Sequence, residues 1–269
     1  MVKIRFVLRG LLLGLPLALL LTSGWIFLQT PFARRPDPTP PPPTILAPPG
    51  RMPVSSVGLQ EWALYRGQAY EPVGSGFLLR LSSGEIVGVT AAHAVSFDQP
   101  DQPLERIALG VAGHGDFVGE FDTLRGQPGC RLTPEDLAVD YLLLKVESPV
   151  DTNLVLMPDP RGMPQPGERV SLYSGLGDGN GGLRVLEGTA QSVNSRAIWV
   201  LMDDRFNPSQ LSGSPFVSQH TGQAVGMVLA VSPRGTRLLI GAHPIGSLVR
   251  LAESAAEFPK LIELTQTAP

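Results

Sequence analysis

The 269-residue sequence predicts an all-β body, and three observations carry that expectation. Glycine (30) and proline (27) are frequent while aromatics are only 6%, a mixture that suits many turns and argues against a helical bundle or coiled coil. From about Val54 onward, short apolar runs alternate with turn residues at a spacing that suggests a sandwich or barrel rather than βαβ units. Finally, 43% hydrophobic against 17% charged residues is enough to fill a core, so the chain as a whole is not disordered.

The elements follow in order. Residues 1–9 form a basic N-terminus with Lys3, Arg5 and Arg9. Residues 10–28 carry no charge, and at ~1.5 Å per helical residue they match a ~30 Å hydrocarbon layer. The basic flank before them predicts a single-pass signal anchor that leaves the rest of the chain outside the cytoplasm, periplasmic or extracellular. A cleaved signal peptide is the rival reading; Thr22-Ser23-Gly24 is its best cleavage site, and apolar residues continue past it. Residues 29–53 form a linker. Nine of the 18 residues from Pro36 to Pro53 are proline, which predicts an extended, semi-rigid spacer.

The body spans 54–269. Expected strands are Leu59–Tyr65, Val73–Leu81, Ile86–Thr90, Ile107–Ala112, Tyr141–Val146, Arg169–Tyr173, Arg184–Ser192, Ala197–Met202, Ala224–Val231 and Arg237–Ala242. One helix is expected from Ile245 to about Leu264, capped by Ser247, with Leu248, Leu251, Ala252, Ala255 and Ala256 as its apolar stripe.

Charge and cysteine content exclude several function classes. The first 35 residues hold five basic and no acidic residues, leaving 16 basic and 24 acidic residues beyond them. So acidic a body lacks the basic footprint of a nucleic-acid binder. A single cysteine, Cys130, excludes an internal disulfide and the usual Cys/His zinc sites. Gly177-Asp178-Gly179-Asn180-Gly181-Gly182 has a dinucleotide-like spacing, but it opens a strand rather than a helix and reads as a hairpin tip. No cofactor or metal is expected.

Three stretches carry chemistry. Gly74-Ser75-Gly76-Phe77 precedes Thr90-Ala91-Ala92-His93. Asp140 opens the apolar run Tyr141-Leu142-Leu143-Leu144. Ser212-Gly213-Ser214-Pro215 precedes Ala224-Val225-Gly226-Met227-Val228. Acyl transfer needs a hydroxyl nucleophile, an imidazole to take its proton and a carboxylate to hold the imidazole tautomer. Asp136 is a local rival to Asp140. His114 and His220 lie in polar or Gly-rich turns and are expected to be solvated, as is Lys145.

Together these stretches, over roughly 73–249, resemble the trypsin-like (chymotrypsin-fold) serine proteases, especially the disulfide-free bacterial ones. The resemblance implies two perpendicular six-stranded β-barrels with the site in the cleft between them, followed by a terminal helix. It implies a serine endopeptidase acting on protein or peptide substrates, with His93 as general base then acid, Asp140 orienting it and Ser212 as nucleophile. The N–H groups of Gln210 and Ser212 would form the oxyanion hole. Substrate-lining positions would be Phe206, Val228, Leu229, Ala230 and His243. Two departures matter. Gln210 replaces a glycine whose backbone freedom serves the oxyanion hole. Leu211 replaces an aspartate, so activation by a new N-terminus is not expected. Phe206, where Lys- or Arg-selective relatives carry aspartate, argues against a basic P1 preference. Those departures also motivate the rival of a catalytically silent module that binds extended peptides in the same cleft.

Overall fold

The computed structural model describes residues 44–130, 136–178 and 182–266, all within one compact unit, Pro40–Pro269. The basic N-terminus, the expected membrane anchor at 10–28 and linker residues 29–43 lie outside the described residues.

The described residues form two barrel-like sheets, the first of six strands with a short seventh joined to one of them and the second of six, and two C-terminal helices. The first sheet runs in the order β5 (Phe117–Phe121), β4 (Leu104–Gly110), β1 (Leu59–Tyr65), β2 (Glu71–Arg80), β3 (Ile86–Thr90), β6 (Leu142–Lys145). A two-residue strand, β7 (Val155–Leu156), joins β2 in parallel. Beyond β5 the chain bends back onto β6: Arg125 N–H donates to Leu143 O (2.7 Å) and Lys145 N–H to Thr123 O (3.0 Å). That contact curls the sheet on itself and shields its edge. Alternation sets the inward face. Along β1, Leu59, Glu61, Ala63 and Tyr65 are buried while the residues between them are half-exposed.

The second sheet is a closed barrel in the order β10 (Ile198–Met202), β13 (Arg237–Pro244), β12 (Ala224–Arg234), β11 (Pro215–Ser218), β8 (Arg169–Tyr173), β9 (Val185–Val193). Strands β8 and β9 pair directly and antiparallel, with Asp178 N–H donating to Gly182 O at 2.9 Å; residues 179–181 of the expected hairpin tip lie outside the described residues. Each barrel has its own apolar interior, one around Leu59, Leu78, Ile107 and Leu144 and one around Leu172, Val200, Phe216 and Ile240. A third core lies between the sheets, where Phe77, Val89 and Leu143 meet Tyr173, Val217, Met227 and Leu229. This third core fixes the two sheets against each other, and the candidate site is built across that junction.

Two expectations need correction. The C-terminal helix is not continuous. Helix α1 spans Ile245–Ser254 and helix α2 spans Leu261–Gln266, with extended backbone at Ala255 between them. Pro259 lacks an N–H and restricts Phe258, so the helix cannot run through. Ser247 lies inside α1; its N-cap is Pro244, without a side-chain cap bond. His220 is also not simply solvated. Its Nε2 donates to Ala47 O at 2.6 Å and its carbonyl accepts from Gly50 N–H at 2.8 Å. With Tyr173 Oη donating to Pro53 O at 2.8 Å, these bonds hold residues 47–53 of the linker against the second barrel.

Candidate active site

His93 sits on a 3-10 turn, Ala92–Ala94, directly after β3. Asp140 lies just before β6 and is fully buried. Because β3 and β6 are paired, Thr90 opposite Leu142, both residues emerge from the same end of the first sheet. His93 Nδ1 lies 2.7 Å from Asp140 Oδ2, and the His93 main-chain N–H donates to Asp140 Oδ1 at 3.2 Å. Across the cleft, His93 Nε2 lies 2.8 Å from Ser212 Oγ. A carboxylate only accepts, so Nδ1 carries the ring proton and Nε2 is left bare to accept from the serine hydroxyl. Asp136 is not part of this arrangement. Its carboxylate accepts from Ala138 N–H at 2.9 Å and stands 3.9 Å from Arg196.

Ser212 belongs to the loop between β10 and β11, and local chemistry fixes that loop's shape. Leu211 N–H donates to Pro208 O and Ser214 N–H to Leu211 O, a pair of tight turns. Gly213 has φ +92°, and a Cβ there would lie 1.7 Å from Ser75 O, so only glycine fits. Gln210 is the one described non-glycine residue with positive φ, at +60°. Two bonds from the first barrel's strand β2 hold it there. Ser75 Oγ donates to Gln210 O at 2.7 Å, and Gln210 Nε2 donates to Pro72 O at 3.2 Å. Ser75 N–H also donates to Ser212 O at 2.9 Å. Among the described residues, neither the Gln210 nor the Ser212 main-chain N–H has a hydrogen-bond acceptor. Two unpaired donors flanking a half-exposed serine can stabilise a developing oxyanion.

Leu211 points into the second barrel's core, 1% exposed. A buried leucine there fastens the loop by packing, without the charge that the resemblance would place at that position.

The expected substrate-lining residues divide. Phe206 is half-exposed, packs on the rim of the second core and lies under the Arg184 guanidinium at 5.9 Å. Ala230 is half-exposed beside an irregularity in the β12–β13 register. Val228 and Leu229 are buried, the first held to the nucleophile loop by bonds with Gly213 and Ser214, the second in the core between the sheets. His243 does not line the cleft. It is fully buried on β13, packed edge-on against Tyr141 at 5.8 Å and close to the Asp140 main chain. Burial pulls its pKa down to about 4, against the opposing pull of the nearby Asp140 main chain and charge.

Three more residues complete the surroundings: Ser75 and Thr90, quoted above only as members of motifs, and Glu61, which sequence reasoning passed over. The available signal was parity. Glu61 falls on the same face of β1 as Leu59 and Ala63, which puts a carboxyl in an apolar interior.

No protein-family model and no curated protein matches the chain. Solved structures do resemble it. Kallikrein-related peptidase 10 aligns over 75% of this chain and 95% of its own, with TM-score 0.50 and 18% identity. A thermostable serine protease from an extremophilic microorganism aligns over 75% and 97%, with TM-score 0.50 and 13% identity. Neuropsin, a serine protease expressed in the limbic system of mouse brain, aligns over 78% and 98%, with TM-score 0.50 and 15% identity. At such identities the likeness speaks for architecture, and the body has the fold of the trypsin-like serine proteases.

Proposed function

We propose that the protein is a serine endopeptidase with a membrane-anchored, extracytoplasmic catalytic body. The observation that carries this reading is the unbroken chain of contacts from Asp140 through His93 to Ser212, with two unpaired N–H groups beside the serine.

In this reading His93 Nε2 takes the proton of Ser212 Oγ as the hydroxyl attacks a peptide carbonyl. Asp140 holds the imidazole tautomer and stabilises the imidazolium that forms. The N–H groups of Gln210 and Ser212 receive the oxyanion. His93 then returns the proton to the departing amine, and water completes the hydrolysis by the same route. Phe206 leaves no carboxylate for a basic P1 side chain, so small or apolar P1 residues fit best. The uncharged stretch 10–28 behind a basic N-terminus would hold the body at the outer membrane surface.

The purified full-length chain is expected to cleave members of a diverse peptide library, and Ser212→Ala is expected to abolish cleavage. A wild-type chain that cleaves none of them would overturn the reading in favour of a silent peptide-binding module. For the anchor, alkaline carbonate is expected to leave the full-length protein in the membrane; its release, or a mature N-terminus near Trp25, would replace the anchor with a cleaved signal.

A further inference from the structure

Glu61 is fully buried in the first barrel, yet among the described residues no cation pairs with it. Its carboxyl fills the room left by Gly74, its partner across the β1–β2 ladder. A Cβ on Gly74 would lie 2.7 Å from Glu61 Oε2 and 3.4 Å from Ser212 O, so the carboxyl and the nucleophile's main chain flank the same gap. We propose, resting on the protease reading above, that Glu61 is a neutral carboxylic acid that acts as a positioning residue for the nucleophile loop, through Thr90 and Ser75.

A proton count carries the claim. Thr90 Oγ1 lies 2.7 Å from Glu61 Oε2 and 2.8 Å from Ser75 O. A hydroxyl has one proton, and a main-chain carbonyl can only accept. Both contacts are hydrogen bonds only when Thr90 donates to Ser75 O and Glu61 donates to Thr90. That requires a protonated Glu61. The other oxygen, Oε1, is buried with no partner, which a neutral acid tolerates far better than a carboxylate. Burial is the larger cause and pushes the Glu61 carboxyl up to about 8; only a Thr90 hydroxyl turned to donate to the carboxylate would pull it down.

The chain ends at the site. Ser75 holds Ser212 O with its N–H and Gln210 O with its hydroxyl, and its carbonyl abuts Gly213. When Glu61 ionises, the carboxylate draws the Thr90 proton to itself and Ser75 O loses its donor. The clamp on Gln210 and Ser212 then loosens. The loosened clamp lowers activity as pH rises through the Glu61 pKa. The other ionisable groups on the surrounding elements are Tyr65 on β1, Glu71 and Arg80 on β2, Glu105 and Arg106 on β4, and His93. Of these, Tyr65 feels the Glu61 charge, while burial and the Thr90 bond alone set the Glu61 value.

The test is the pH profile of kcat/KM for the full-length chain and for Glu61→Gln, which stays neutral and can still donate to Thr90. The wild type is expected to lose activity above about pH 8. Glu61→Gln is expected to keep its neutral-pH kcat within about threefold and to lose the alkaline decline. Glu61→Leu is expected to lower kcat about tenfold or more with less change in KM, because the loop is misplaced rather than the substrate site removed. A decline that persists in Glu61→Gln, a flat wild-type profile, or a Glu61→Gln as damaged as Glu61→Leu would overturn the proposal. Infrared difference spectra give a readout independent of turnover and of whether Glu61→Leu folds. A protonated-carboxyl band near neutral pH, absent from Glu61→Gln, is expected, and its absence from the wild type overturns the neutral acid. A chain that shows the band but never reacts with a fluorophosphonate overturns the protease reading, and the positioning role with it.

Discussion

Gln210 stands where the resemblance calls for glycine, and its φ of +60° costs of order 1–3 kcal/mol unless the surroundings impose it. They do: the Ser75 hydroxyl and the Pro72 carbonyl grip both ends of the residue. With its N–H unpaired and its carbonyl held, the glutamine already presents what a glycine would. Gln210→Gly is therefore expected to change peptide turnover by less than about threefold, or to lower it by loosening the loop. A rise of about tenfold or more would show that the glutamine peptide is turned away from the site. His243 gives a second residue-scale outcome. Its native pKa of about 4 lies below the ordinary 6.5, because burial outweighs the pull of Asp140 and Asp136. The unfolded chain therefore binds the proton first. Stability is fully present above pH 6.5 and falls as pH drops toward 4, by at most about 3 kcal/mol. Urea midpoints measured across that window should show the fall, and His243→Leu should flatten it. Equal slopes in both proteins would contradict the assignment.

At the scale of elements, legibility in the sequence followed burial. β1, β3 and β8 begin and end where the apolar pattern placed them, because each has buried residues along its whole length. Three strands were not legible. β5 is a largely exposed edge strand, β7 has only two residues, and β11 opens on Pro215 inside a stretch with turn composition. The histidine turn and nucleophile loop were legible because both depend on short local motifs. Glu61 was overlooked although parity puts it with Leu59 and Ala63, because the opposite face of β1 carries Trp62 and Leu64 and does not stand out as the polar side. One polar cluster outside the site ties elements together. Arg161 pairs with Asp159 at 2.6 Å and Glu168 at 2.9 Å, while Thr221 donates to Asp159 and Ser218, the last residue of β11, donates to Glu168. Burial alone would raise the Asp159 carboxyl, but the bonds from Arg161 and Thr221 hold it below the usual range. Arg161→Met leaves two buried carboxylates without a cation and is expected to destabilise the protein by roughly 3–5 kcal/mol in denaturant unfolding. A change under about 1 kcal/mol would mean that the cluster carries no net stability.

The whole molecule divides labour between its two sheets. The first supplies His93 and Asp140 from adjacent strands and the Ser75 clamp from β2. The second supplies the serine and its two N–H donors from one loop. Neither sheet alone holds a complete site, so the core between them, from Phe77 to Leu229, is what sets the 2.8 Å contact of His93 with Ser212. Linker residues 47–53 bind the second barrel through His220 and Tyr173, which shortens the free tether that a membrane anchor would have. The central claim is that this junction activates Ser212 as a nucleophile. The most direct measurement is fluorophosphonate labelling of the full-length chain, followed by mass spectrometry of the adduct. One adduct is expected, on Ser212, absent in Ser212→Ala and formed roughly 1,000-fold or more slowly in His93→Ala. An unlabelled wild type, or labelling that survives Ser212→Ala unchanged, would contradict the account.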